Sequence, residues 1–220
     1  MEYDPAAAST LPKPEMPDLS AWLATLTRFA EHIRGLVADG IESGTFDEDN
    51  AEEFEALLSA AAPAEAAAIE TVSAGLPYDL PSSLRVFFLD ASSEIRFHYA
   101  YDLGDDAPDG VPSWLSGGEL PDPLFSADKL AEYLADAQHY AANSGIADFP
   151  EDQAIWNRSF PFFRYNNSDF LAFDPASNAD DPCVIHLNHE GDPSLIARNL
   201  AAFLIEWPRI CFVGPGDYYD

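Results

Sequence analysis

The side chains best equipped for chemistry lie in the C-terminal third of the chain. His186-x-x-His189-Glu190 brings two imidazoles and a carboxylate into one short run. A zinc site needs three or four converging ligands, and the helical zinc-hydrolase signature sets two histidines one turn apart with glutamate between them. Here the glutamate follows both histidines, and the pair begins inside an apolar run that reads as a strand. It is therefore expected to decorate a strand end and loop rather than to hold a metal. Asp169, Asp174, Asp180 and Asp181 offer carboxylates for acid–base work or calcium binding. A calcium loop needs a glycine turn and a closing glutamate, and the stretch from Asp174 to Asp181 has neither. Asp169 is expected to satisfy backbone amides in its own turn. Cys183 sits mid-run among apolar residues, with nothing electropositive beside it to favour a thiolate. Neither a Gly-x-Ser-x-Gly elbow nor a phosphate-binding glycine loop occurs. The reading is non-catalytic, with no cofactor.

The elements that must position these residues can be read from periodicity. Ser159 to Arg164 and Phe170 to Asp174 are aromatic-rich runs flanking the polar turn Tyr165-Asn166-Asn167-Ser168-Asp169, which reads as strand, turn, strand. Alternation places Phe160 and Phe162 on one face and Phe163 and Tyr165 on the other, with core the expected destination of at least one face. Cys183 to Leu187 is apolar on both faces and reads as a mid-sheet strand. Asp192-Pro193-Ser194 reads as the start of a closing helix, with Leu195, Ile196, Leu200, Phe203, Leu204 and Trp207 on one stripe and Pro208 at its end.

Upstream, Met1 to Pro17 is rich in alanine and proline and reads as a mobile arm. A helix follows from Asp18 to Gly40, with Leu19, Trp22, Leu26, Phe29 and Ile33 on its stripe. Asp49 and Glu52 resemble a capping box opening a second helix through Phe54, Leu57, Leu58 and Ala61. Two amphipathic helices cannot bury both faces alone, so this hairpin is expected to dock on the main domain or on another chain. Pro63 begins a third helix that stops at Gly75, and a short helix runs through Leu84, Val86 and Phe87. Ile95 to Tyr101 alternates as a half-buried strand. Gly117 to Leu120 reads as a short edge strand, and a helix capped by Ser126 extends to about Gly145. The class is α+β: a mostly antiparallel twisted sheet packed with helices, plus an N-terminal helical hairpin. The division expected is 1–62, arm and helical extension, and 63–220, the main domain.

Composition narrows the partners. The chain has 220 residues, 47% hydrophobic and 13% aromatic, enough for a sizeable core. Against 39 Asp and Glu there are 10 Lys and Arg, a net charge of −29. Nucleic acid and anionic membrane need cationic contacts, so neither is an expected partner. The charge fits either a solubility adaptation or a surface matched to a basic partner. The candidate contacts are acids in exposed turns: Asp105, Asp106 and Asp109 in one loop, Asp180 and Asp181 in another. Cys183 and Cys211 both lie in apolar runs and read as buried free thiols. The start MEYDPAAAST has acids where a secretory leader needs bases, and no apolar run approaches bilayer-spanning length. A cytoplasmic location is expected.

Several of these residues carry a resemblance. Leu76-Pro77, Trp156, the Asn167-x-Asp169 turn, Ala172-Phe173-Asp174, Pro182 to His189, then Phe203, Trp207 and Val213-Gly214 resemble the motifs of the SUKH superfamily. That group contains the fungal cell-wall assembly regulator and many bacterial immunity proteins. These are mainly packing motifs, and they cover about Pro63 to Asp220. Where the family often has Asn-Gly-Asp, this chain has Asn167-Ser168-Asp169, a departure that bears on turn geometry. The resemblance implies a non-catalytic protein-binding module, an immunity protein that neutralises a cognate toxin. Such toxin domains are often nucleases, which need basic surfaces to grip phosphate, so the family and the charge converge on a basic toxin. The alternative it implies is a regulatory or scaffold protein like the fungal regulator.

Overall fold

The computed structural model describes residues 3–10, 12–43, 55–102, 114–118, 123–165 and 167–213. Strands fall into two antiparallel sheets. In the first, β1 (Glu55–Ala60) pairs with β2 (Glu94–Asp102), which also pairs with β3 (Trp114–Gly118) and β4 (Phe125–Ser126). The second is the meander β5 (Phe160–Arg164), β6 (Phe170–Asp174), β7 (Cys183–Leu187) and β8 (Ser194–Ala197). The described helices are α1 (Pro5–Ser9), α2 (Leu19–Ser43), α3 (Ala66–Ala74), α4 (Ser82–Asp90), α5 (Leu130–Asn143), α6 (Pro150–Arg158) and α7 (Leu200–Glu206). The α+β class and the antiparallel pairing are as the sequence implies.

The second sheet divides the interior, because alternate residues of a strand point to opposite faces. Leu171, Phe173 and Val184 join the larger core with Phe87, Phe97 and Trp207. Phe170, Ala172, Cys183 and Ile185 pack instead with Trp156 of α6 and Tyr133 of α5. Phe160 and Phe162 are buried as expected, but Phe163 is not on the opposite face. A bulge between Pro161 and Phe163 breaks the alternation of β5, so Phe163 joins Phe160 and Phe162 in the same core. Helix α2 is opened by Asp18, whose Oδ1 accepts from the Ser20 and Ala21 amides. Its apolar stripe covers the first sheet: the Phe29 ring stands edge-on to Tyr99 at 4.9 Å, and Trp22 Nε1 donates to the Leu204 carbonyl at 2.9 Å. Packing thus crosses from residues before position 62 to residues after it.

Three segments differ from the sequence reading. The second N-terminal helix is a strand over Glu55–Ala60, in register with Ala100 to Ile95 of β2. Its Ala- and Leu-rich composition favours helix, but β2 offers an open edge. Alternation with Ala56 inward and Leu57 outward serves that edge. The Asp49 to Phe54 portion lies outside the described residues. The closing helix begins later than Asp192: Ser194–Ala197 is β8, pairing with β7, and α7 starts after Asn199, whose Oδ1 accepts from the Ala202 amide at 2.8 Å. The N-terminal arm is docked rather than loose. Lys13 Nζ donates to the Asp181 carbonyl, Arg198 Nη1 to the Pro12 carbonyl at 2.7 Å, and Ala8 is buried against the second core.

The C-terminal segment closes on the first sheet through glycine. Gly117 bridges Val213, and a Cβ there would lie 2.1 Å from the Phe212 carbonyl oxygen. Tyr99 adds a hydroxyl hydrogen bond to the Cys211 carbonyl at 2.6 Å. Cys183 is buried as expected, but Cys211 is exposed, because it leaves the 3₁₀ turn at Trp207–Ile210 in a left-handed conformation, φ 57°.

Candidate functional site

Two buried carboxylates sit at opposite ends of β6, and each gathers residues distant in sequence. At the start of the strand, Asp169 is 3% exposed. Its Oδ1 accepts from the His189 amide and His189 Nδ1, both at 2.8 Å. Its Oδ2 accepts from Asn167 Nδ2 at 2.9 Å and His186 Nε2 at 3.0 Å. Burial works against the charge, yet the hydrogen bonds from His186 and from the amide and ring of His189 outweigh it and hold the carboxyl below its ordinary value. The turn before it places Ser168 at φ 77°, a left-handed conformation that glycine adopts freely. This is the position where Asn-Gly-Asp would supply a glycine. Here the Ser168 hydroxyl hydrogen-bonds with that of Tyr140.

At the far end of β6, Asp174 is fully buried. Arg158 grips it from α6 through Nε and Nη2, each at 2.8 Å. The Ala176 amide donates at 3.0 Å and the Tyr3 hydroxyl at 2.8 Å. Again burial opposes ionisation, and again the donors, Arg158 foremost, hold the carboxyl below its usual range. Tyr3 also lies 3.0 Å from Cys183 Sγ. Burial pushes both the Tyr3 phenol and the Cys183 thiol upward, so neither presents an anionic nucleophile.

An ionised carboxylate has about four acceptor positions. Each of these two has four donors from its own chain. Neither can take a proton from a substrate or ligate a cation without losing a tether. Among the described residues no group of three or more His, Cys, Asp or Glu is placed to hold a metal ion. His186 and His189 are brought together by Asp169, as hydrogen-bond donors to it, and His189 thereby fixes the loop that leads to β8.

That loop forms one wall of a surface groove. A groove of about 740 Å³ is lined by Tyr3, Phe149, Pro150, Ile155, Pro193 and Ser194 together with the acids Asp148, Glu151, Asp152 and Asp192. A smaller hollow of about 210 Å³ continues it past Gly145 to His189 and Glu190, sharing Phe149, Asp152 and Asp192. Sequence reasoning missed this site because its three segments are far apart and α6 was not anticipated. Pro150 at the first helical position, followed by Glu151 and Asp152 in the first turn, was the available signal.

The partner-contact acids read from the sequence are placed as follows. Asp180 has an exposed side chain, and its carbonyl accepts from Ser82 N and Oγ at 3.1 and 3.0 Å. Asp181 is half-buried and accepts from Asn199 Nδ2 at 2.8 Å. Asp105, Asp106 and Asp109 lie outside the described residues, as does Gly214. Of the motif residues, Trp156, Phe203 and Trp207 are buried, Trp207 stacking on Phe203 at 5.0 Å and donating from Nε1 to the Val213 carbonyl. Pro77 lines an apolar hollow of about 320 Å³ with Phe160 and Phe173, and Leu76 packs against the larger core. No described helix is long and apolar enough to cross a membrane.

No curated protein matches the chain. The model of the SMI1 / KNR4 family (SUKH-1) matches residues 63–206, and the chain belongs to that family.

Proposed function

We propose that this member of the SMI1 / KNR4 family is a non-catalytic binding module, an immunity protein that neutralises a cognate basic toxin domain. The family includes immunity proteins and cell-wall regulators, and a net charge of −29 is the observation that favours the first over the second. A nuclease holds phosphate with Lys and Arg. A strongly acidic protein laid over that surface occupies the substrate's place and is drawn to it electrostatically. The saturated carboxylates described above are in keeping with binding rather than turnover. The toxin would be a protein encoded beside this one, so the test is co-expression. The C-terminal domain of a large secreted neighbour should arrest growth alone, and this protein should restore growth and co-elute with it. Neither rescue nor a complex would refute the immunity reading. A stable complex with an endogenous, non-toxic protein would replace it with a regulatory one.

A further inference from the structure

The groove beside Phe149 has the features of a docking surface. Five of its lining residues are aromatic or apolar: Tyr3, Phe149, Pro150, Ile155 and Pro193. Phe149 is 62% exposed, although it stands between two concavities that share it. An aromatic side chain left in water where two hollows meet is an arrangement that can anchor a partner. The rim selects that partner. Asp148, Glu151 and Asp152 come from one side, and Glu190 and Asp192 from the other. The macrodipole of α6 accounts for acids in its own first turn, Glu151 and Asp152. It does not account for Asp192 and Glu190, which the loop fixed by His189 and Asp169 brings across. Among the described lining residues His189 is the one basic side chain, and it is committed to Asp169.

We infer that this groove receives a cationic segment of a protein partner, in which an apolar side chain packs on Phe149 while neighbouring Lys or Arg side chains meet Asp152 and Asp192. The inference rests on the binding reading above and supplies its contact surface. Tyr3 gives the site a further feature. It lines the groove, and its hydroxyl is fixed by Asp174 and Cys183, so the docked arm helps to build the groove. The environment of Asp152 agrees with this use. Partial burial, with Asp192 and Glu151 nearby, pushes its carboxyl upward, and a cation seated between these acids would relieve that repulsion.

The probe is a fluorescein-labelled peptide alternating Lys or Arg with Leu, titrated into the full chain at about 0.15 M salt, where screening acts beyond about 8 Å. Phe149→Ala and the pair Asp152→Asn with Asp192→Asn should each weaken binding at least about tenfold, the loss expected of an anchor. Glu31→Gln with Asp39→Asn removes the same charge from the exposed face of α2, and Leu57→Ala removes a different exposed apolar side chain. These controls should change affinity by less than about twofold. Equal losses in groove and control pairs would show general charge attraction and overturn the placement. Displacement of the peptide by spermine at matched charge would overturn the apolar half and make this a small-polycation site. Asp152→Asn should also raise the melting temperature of the free protein while weakening the peptide, the trade-off expected where like charges are held together for binding. If it lowers both, the residue acts in folding, and the inference fails. The peptide needs no toxin: a toxin that binds every groove variant normally removes the placement and leaves the immunity reading standing. Failure of toxin rescue removes that reading while the peptide result still decides the groove.

Discussion

Replacing Asp174 by asparagine tests whether the arm is tethered by a buried charge. The carboxylate is fully buried and holds Arg158 in a two-pronged contact at 2.8 Å, together with Tyr3 and the Ala176 amide. Removing one partner of a buried ion pair costs about 3–5 kcal/mol. Arg158 keeps 34% of its side chain exposed and can recover water, so the loss here should be about 2–4 kcal/mol. Tyr3→Phe removes one hydrogen bond to a charged acceptor, worth about 1.5–3 kcal/mol at most. The arm can detach locally, which caps what the whole protein loses. The two changes should therefore be strongly non-additive: once Asp174 is neutral, Tyr3→Phe should cost little more. Urea unfolding read by tryptophan fluorescence gives the free energies, and amide exchange over residues 4–10 shows whether the arm opens first. A loss below about 1 kcal/mol for Asp174→Asn, or the same Tyr3→Phe cost in both backgrounds, would refute the tether.

The same substitution has a pH signature. The folded carboxyl titrates below its unfolded value of about 3.9. Its stabilisation is therefore fully present above that value and is lost as pH falls through the lower folded value. Parent and Asp174→Asn should differ most near neutrality and converge below about pH 4. Asp169 is depressed in the same direction and should leave a residual acid-sensitive limb in the variant.

Two further outcomes follow from the fold. In a Tyr140→Phe background the Ser168 hydroxyl has lost its partner, and Ser168→Gly should then raise stability by about 1 kcal/mol by relieving the left-handed backbone; an unchanged urea midpoint would show that the turn is unstrained. Whether residues 63–220 fold without the segments before them is tested with a 63–220 fragment. That fragment lacks β1 and α2, which cover Phe97 and Tyr99, and it should bind hydrophobic dye and melt without cooperativity. A sharp thermal transition would instead make the family-matched region an independent domain.

What could be read in the chain and what could not separates along physical lines. The strands at Phe170–Asp174 and Cys183–Leu187 were legible because buried central strands need uninterrupted apolar runs, and α2 because one stripe of a long helix repeats many times. The antiparallel class followed from the strands, and the resemblance from motif residues between Leu76 and Gly214. Glu55–Ala60 was not legible, since EALLSA favours helix locally and only the open edge of β2 makes it a strand. Asp192-Pro193-Ser194 resembles a helix start, but the capping bond that forms belongs to Asn199. The arm was hidden for a different reason: one tyrosine among alanines and prolines gives no period, and its hold depends on Asp174, 171 residues away. The groove needs three such separated segments, and no spacing rule links Tyr3, Phe149 and Asp192.

The acids of this protein divide by what surrounds them, and that division argues for binding. Asp169 and Asp174 face inward with every acceptor position filled by their own chain, so they set geometry: one fixes the loop leading to β8, the other the N-terminal arm. Asp148, Glu151 and Asp192 stand in water, where they set a field. A catalytic carboxylate needs an intermediate state, desolvated enough to shift its pKa yet open to a substrate. Among the described residues Asp152 comes nearest, half-buried and pushed upward. Its neighbours are other carboxylates and an exposed phenylalanine, while the Tyr3 hydroxyl and the His189 ring that share these hollows are already committed to Asp174 and Asp169. On the binding reading proposed above, the like charges around Phe149 serve recognition. They gain from a cation that arrives with its own hydrophobic side chain, and both tethers act on the walls of the groove where that would happen.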